Sequence, residues 1–443
     1  MREQSPRVLH PNAAGIDLGS KEHWVALPPG RSQQVRPFGC FTEDLQEMAA
    51  WLQSHGVDTV AIESTGVYWV PVFQMLEKHG LDVQLVNAKH FKAVPGRKTD
   101  VQDCQWLQLL HETGMLRGSF RPADAICVIR SYVRQRDTLV SESSRHTQRM
   151  QKALEQMNVQ LHKVLSDVTG ETGLAIIKAI LDGERDPQVL AAFRNHRCRR
   201  SPAEIAKALV GDWREEHLFC LQQELAAYEF VQTQIAACEQ AALQALGALE
   251  AKAEAANLPK TTKRKNAETP TREALFIATG VDLTKISGLA GTTVQTIIAE
   301  IGVDATRWPN EKAFASWCGT APKNKITGGK RYKAAKQSGS SRVAQAFKMG
   351  AQALANSQTA LGAFYRRMRA RKGPTFANAA TANKLAKLFY RMLRYGEAFV
   401  EQGADYYETK YKERVVRGAI EKLRRLGYSV QVQETPRLTE AVT

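Results

Sequence analysis

The sequence predicts an α/β layer at the N-terminus followed by a mainly α-helical remainder. Three observations predict it. Short apolar runs alternate with helical spacing from Ala13 to His111. Two stretches beyond Ile126 carry apolar residues at helical spacing for dozens of residues. The C-terminal half strings shorter helical patterns between glycine-rich and lysine-rich links.

The chain has 443 residues, enough for two or three domains, and 43% of them are hydrophobic. Lys and Arg number 61 against 45 Asp and Glu, a formal net charge of +16, which favours a polyanionic partner, with nucleic acid the default. No apolar run approaches the ~20 residues of a membrane span. The start, Met1-Arg-Glu-Gln-Ser-Pro, has no signal pattern. Seven scattered cysteines suggest neither a zinc knuckle nor a disulfide framework, and a reduced cytoplasm is the expected compartment.

After a polar lead-in, Ala13–Ser20 reads as a buried strand and Trp24–Leu27 as its hairpin partner. Asp17 therefore sits in or at the end of a core strand. It needs a partner or a metal there, or it caps the Gly19-Ser20 turn. Thr42–His55 reads as a helix, Val57–Glu63 as a strand ending on Glu63, Val70–His79 as a helix and Leu81–Val86 as a strand. The stretch Val94-Pro-Gly-Arg-Lys-Thr-Asp-Val-Gln-Asp103 then places Arg97 and Lys98 before a helix from Thr99 to His111. On that helix Asp100 and Asp103 share a face about a turn apart. They suit a magnesium-dependent phosphate site, or a solvated first turn favoured by the helix dipole. Asp17, Glu63, Asp100 and Asp103 form a set, because four acids at one sheet edge would repel unless a divalent metal offset them.

Ile126–Leu165 reads as one long amphipathic helix with a basic flank, and His217 to about Ala256 as another. The two pair within the chain or form a coiled coil with a second subunit. Gly170–Gly183 begins a compact helical piece, and Leu258–Lys265 is a linker by composition. Gly280–Gly291 followed by the helix Thr292–Ile301 resembles a helix–hairpin–helix phosphate clamp, or is an ordinary connection. Gly319–Lys330 reads as a basic loop carrying Lys323, Lys325, Thr327 and Lys330; Arg331, Lys333 and Arg342 continue it. Helices follow at Val343–Ser357, Phe364–Arg371 and Ala379–Arg394, with Arg366 and Arg367 among many cations suited to phosphate backbones. Another basic helix runs from Lys410 to about Leu426, and the last dozen residues read as disordered.

Four stretches carry a resemblance: Gly15–Trp24, Ala61–Trp69, Asn87–Leu107 and Ile286 to about Ala351. They resemble transposases of the insertion-sequence family numbered one hundred and ten, the bridge-RNA-guided recombinases. The resemblance implies a RuvC-like, RNase H-type first domain, a coiled-coil middle and a mainly helical C-terminal transposase domain. The expected boundaries are 1–125, 126–257, a linker at 258–272, 273–430 and a tail at 431–443. It implies that the family's Asp-Glu-Asp-Asp set, holding Mg2+, falls on Asp17, Glu63, Asp100 and Asp103. It further implies donor and target DNA, a structured non-coding guide RNA, and a tetramer built from two dimers as partners.

In that family a C-terminal serine before glycine is the proposed nucleophile, in a Pro-x-x-x-x-Ser-Gly pattern. Pro322-Lys-Asn-Lys-Ile-Thr-Gly328 puts Thr327 in that slot, with the same hydroxyl and a methyl that crowds it. Ser338, also before glycine, is the fallback. Rival readings are an actin-like ATPase, suggested by Gly15–Ser20, a junction nuclease that uses water, and a non-catalytic nucleic-acid-binding derivative.

Overall fold

The computed structural model describes residues 8–31, 34–64, 66–87, 99–260, 269–322, 324–328, 330–333, 341–396 and 412–431, and of 269, 324–327 and 330–333 the backbone alone. The chain forms two compact units, Met1–Arg121 and Pro122–Thr443. Arg97, Lys98, Lys323 and Ser338, with most of the linker and of the tail, lie outside the described residues.

The first unit is built on a five-stranded sheet of order β3-β2-β1-β4-β5. Its strands are β1 (Ala13–Leu18), β2 (Glu22–Ala26), β3 (Val35–Gly39), β4 (Thr59–Glu63) and β5 (Asp82–Val86). β1 runs antiparallel to β2 and parallel to β4, and β4 runs parallel to β5. This mixed sheet is compatible with an RNase H-like fold. The edge strand β3 goes beyond the expected strands. Pro37 sits in it, which an edge tolerates because one row of N–H groups has no ladder partner to serve.

Side-chain alternation sorts the sheet into two faces. Ile16, Val60 and Ile62 pack against helices α1 (Thr42–Ser54) and α2 (Trp69–Lys78) through Met48, Leu52, Val72 and Leu76. The opposite face takes α3 (Asp100–Glu112), where Ala61 and Val86 meet Leu107. Gly15 also lies on that face. A Cβ there would stand 2.5 Å from the Cys104 carbonyl oxygen and closer still to the Gln108 amide nitrogen, so only glycine lets the helix approach.

In the second unit α4 (Asp124–Gln156) lies antiparallel along α9 (Glu215–Gly247), with His146 against Glu224 at 2.6 Å and Gln232 against Ser143 at 2.7 Å. The two long helices thus pair within the chain. α4 stops short of the expected Leu165. Met157 caps it, Asn158 turns left-handed at φ 58°, and Val159 N–H returns to the Leu154 carbonyl. α9 ends at Gly247, before the expected Ala256. Between them run α5 (Leu161–Val164), α6 (Glu171–Leu181), α7 (Pro187–Ala192) and α8 (Pro202–Ala208), which share an apolar cluster with the end of α4 and the start of α9.

The remainder is α10 (Thr269–Thr279), α11 (Gly291–Ile301), α12 (Glu311–Trp317), a hairpin of β6 (Asn324–Thr327) and β7 (Lys330–Lys333), α13 (Arg342–Ala353), α14 (Ala360–Lys372), α15 (Pro374–Tyr395) and a helix over 412–425. Its core stacks Phe314 on Phe389, with Phe347 edge-on to Phe389. Gly288, at φ +93°, meets Gly350 of α13 so closely that a Cβ would stand 2.6 Å from the Gly350 carbonyl oxygen. The basic loop expected over Gly319–Lys330 is corrected in its second half. Thr327 pairs with Lys330, and Gly328 takes φ +57°, a left-handed value that glycine adopts at little cost.

Candidate functional site: an acidic sheet edge

β1 and β4 are parallel neighbours in the register Ile16–Ile62, so Asp17 and Glu63 come next to each other, one residue further on. Strand spacing puts their backbones about 5 Å apart. Both follow by two residues a position that faces α3, Gly15 and Ala61 respectively, so both carboxylates belong to that face.

The direction of α3 brings its own acids to the same end. His111, late in the helix, lies 2.9 Å from Thr59 Oγ1 at the start of β4, and Gln108 Nε2 donates to the Ala13 carbonyl at 3.2 Å. The helix therefore runs against β1 and β4, and its first turn, with Asp100 and Asp103, lies where those strands finish. Thr99 caps that turn, its hydroxyl accepting from the Gln102 amide at 3.3 Å. The acids also favour the helix dipole, by roughly 0.3–1 kcal/mol each at an exposed terminus.

Cys104 reports the field. Burial pushes its thiol up to about 12, and the negative charge of Asp17, then of Asp103, pushes the same way. Glu63 is 3% exposed, whereas Asp17 and Asp103 are half-buried and Asp100 is exposed. Among the described residues no three His, Cys, Asp or Glu side chains are placed to hold a metal ion. The fold thus sets Asp17 beside Glu63 and starts α3, with Asp100 and Asp103, at the same end of the sheet. Carboxylate oxygens are the donor type that a hard divalent cation takes.

The other expected site residues sit in the second unit. Thr327 ends β6, with Lys325 two residues before it; Lys330, Arg331 and Lys333 lie on β7. Arg342, first in α13, lies 3.4 Å from Asp137. Arg366 donates to the Ser357 carbonyl at 2.5 Å and the Ala355 carbonyl at 3.3 Å. Arg367 stands over the Phe364 ring at 5.5 Å, and Lys384 covers the same ring at 4.4 Å. Burial first, then Arg414 and Arg371, lowers the Arg367 guanidinium.

Arginines that the sequence shows only as the basic flank of a long helix organise α4 against α11. Arg130 donates to the Ala299 and Glu300 carbonyls, Arg134 grips both Glu300 oxygens at 2.8 Å, and buried Arg136 reaches Gln295 at 3.0 Å. Their signal in the sequence is three arginines within seven residues of one long helix, at 130, 134 and 136.

The first unit thus carries the acidic sheet edge and the second the hairpin with its basic residues. The comparisons give the class of protein. Residues 14–159 match a family model described as a transposase, the DEDD type of IS110 elements. Residues 282–366 match the model described as the transposase IS116/IS110/IS902 family. No curated protein matches. The two matches support an IS110-family transposase, a DNA recombinase whose substrates are DNA. No helix among the described residues is long and apolar enough to cross a membrane.

Proposed function

We propose that this chain is the RNA-guided recombinase of an insertion sequence, cutting and rejoining donor and target DNA through a covalent hydroxyl–phosphate intermediate. The observation that carries the reading is the adjacency of Asp17 and Glu63 at the ends of β1 and β4, beneath the helix that begins with Asp100 and Asp103. Those four residues would hold Mg2+, which when bound supplies charge stabilisation for a scissile phosphate. Thr327 supplies the nucleophile. Its Oγ bonds to phosphorus, the P–O bond to the leaving strand breaks, and the released strand end takes up the hydroxyl proton. The phosphoester keeps the bond energy, so attack by the hydroxyl of another strand reseals DNA and frees Thr327.

A structured guide RNA would read donor and target by base pairing, leaving the protein to hold backbone and shape. Lys325, Lys330, Arg331, Lys333 and Arg342 surround the nucleophile in sequence and supply phosphate contacts; Arg97, Lys98, Lys323, Arg366 and Arg367 add to them. A tetramer of two dimers would bring each Thr327 to an acidic edge.

The test combines protein, guide RNA, Mg2+ and supercoiled donor and target plasmids. Recombinants and an SDS-stable protein–DNA adduct are expected. Thr327→Ala removes the adduct, and Asp17→Asn removes adduct and recombinants. Cleavage without any adduct would instead support a water-using nuclease, and normal recombination by Thr327→Ala sinks the nucleophile assignment.

A further inference from the structure

Residues 160–281 lie between the two matched stretches. Here the link from α7 to α8 is strongly basic. Arg194-Asn-His-Arg-Cys-Arg-Arg200 holds four arginines, one histidine and no acid. A run of this kind in loose coil would spread its charges apart. In this protein it is folded on itself. Arg194 Nε donates to the Arg200 carbonyl at 2.8 Å, and its Nη2 donates to the Cys198 carbonyl at 2.7 Å. The Asn195 amide donates to Thr172 Oγ1 at 3.0 Å, and its side-chain Nδ2 donates to Glu171 at 2.8 Å, both on α6. The Arg197 amide donates back to Asn195 Oδ1 at 3.0 Å.

One arginine is thus turned inward to fasten the loop, and the others face out. Arg200 pairs with Glu204 at 3.0 Å, an exposed i,i+4 contact of small strength. Arg197 and Arg199 are exposed, and among the described residues neither makes an ion pair. Phe193, at the start of the loop, is 45% exposed. An ordered loop holds its guanidiniums close against their mutual repulsion, and a polyanion offsets that repulsion. An exposed aromatic ring beside arginines adds a stacking platform, which a base in an unpaired strand can reach and a base inside a duplex cannot.

We infer that the Phe193–Ser201 loop is a binding site for a single-stranded stretch of nucleic acid, with Arg197 and Arg199 on its phosphates and Phe193 against a base. The inference rests on the proposed function only in taking the partner to be nucleic acid; the acidic edge and Thr327 play no part in it.

The test measures binding of full-length protein to labelled oligouridylate, oligothymidylate and a mixed-sequence DNA duplex by fluorescence anisotropy over a salt series. The double variant Arg197→Gln, Arg199→Gln leaves Arg194 and the loop's internal bonds in place. It is expected to lower the salt slope on a single-stranded probe by about 1.4, at about 0.7 for each phosphate that an arginine no longer neutralises. Phe193→Ala is expected to weaken single-strand binding about fivefold or more, and duplex binding not at all. An effect on oligouridylate alone assigns the strand to RNA, and one on oligothymidylate alone to DNA. Unchanged slope and affinity on both single strands, in variants that melt like the parent, overturn the proposal. Equal losses on duplex and single strands overturn it too. Asp17→Asn should leave this binding intact while stopping recombination, so the two readings can fail separately.

Discussion

Gly15 of β1 and Gln108 of α3 meet backbone to backbone, with no room for a side-chain carbon between them. The acidic edge depends on this contact, because it fixes how close the helix that begins with Asp100 lies to the strand that carries Asp17. Gly15→Ala must push the helix away. It should destabilise the first unit by about 1–3 kcal/mol, the usual range for overpacking. Recombination should fall further than the melting shift explains. A melting temperature equal to the parent's would contradict the contact.

If the four acids gather around a cation, Mg2+ should stabilise the folded protein. Thermal melts with and without Mg2+ should show a rise for the parent and a smaller one for Asp17→Asn. An equal Mg2+ response in both proteins would separate Asp17 from the cation.

Thr327→Ser removes a methyl and keeps the hydroxyl. Adduct formation should persist and run about as fast or several-fold faster, since a serine Oγ is less crowded. A serine variant that forms no adduct would show that the threonine methyl is itself required.

His111 supplies a pH dependence. Burial, and next the neighbouring His10, lower its pKa from 6.5 to about 4, against a smaller opposing pull from Asp82. The folded protein therefore binds this proton less readily than the unfolded chain. Stability is unaffected by this group above about pH 6.5 and is lost as pH falls from there to about 4, by up to about 3 kcal/mol. Denaturant melts over that range should show the loss, and His111→Gln should flatten it.

Arg136 is 7% exposed and bonded to Gln295, which is 3% exposed. Arg136→Ala leaves the Gln295 oxygen buried without this donor. A loss of about 1–3 kcal/mol is expected in chemical denaturation, the range for an unsatisfied buried polar group. The conservative Arg136→Lys should recover only part of it, because an ammonium cannot reach Gln295, Asp137 and Thr296 in one plane as the guanidinium does.

By itself the sequence determined the elements and the candidates. Alternation and helical spacing set out β1, β4, β5, α1, α2 and α3, because these are short-range properties of neighbouring residues. The edge strand β3, the stop of α4 at Asn158 and the β6–β7 hairpin were decided elsewhere. A strand with a proline needs a neighbour to lie along, a helix stops where its cap finds partners, and four-residue strands exist only as a pair. Tertiary structure alone decided that Asp17 and Glu63 share a register and a face, that α3 runs against their strands, and that Arg194 folds a basic loop inward. Each of these joins residues far apart in the chain, and only packing, through contacts as close as Gly15 against Gln108, sets such distances.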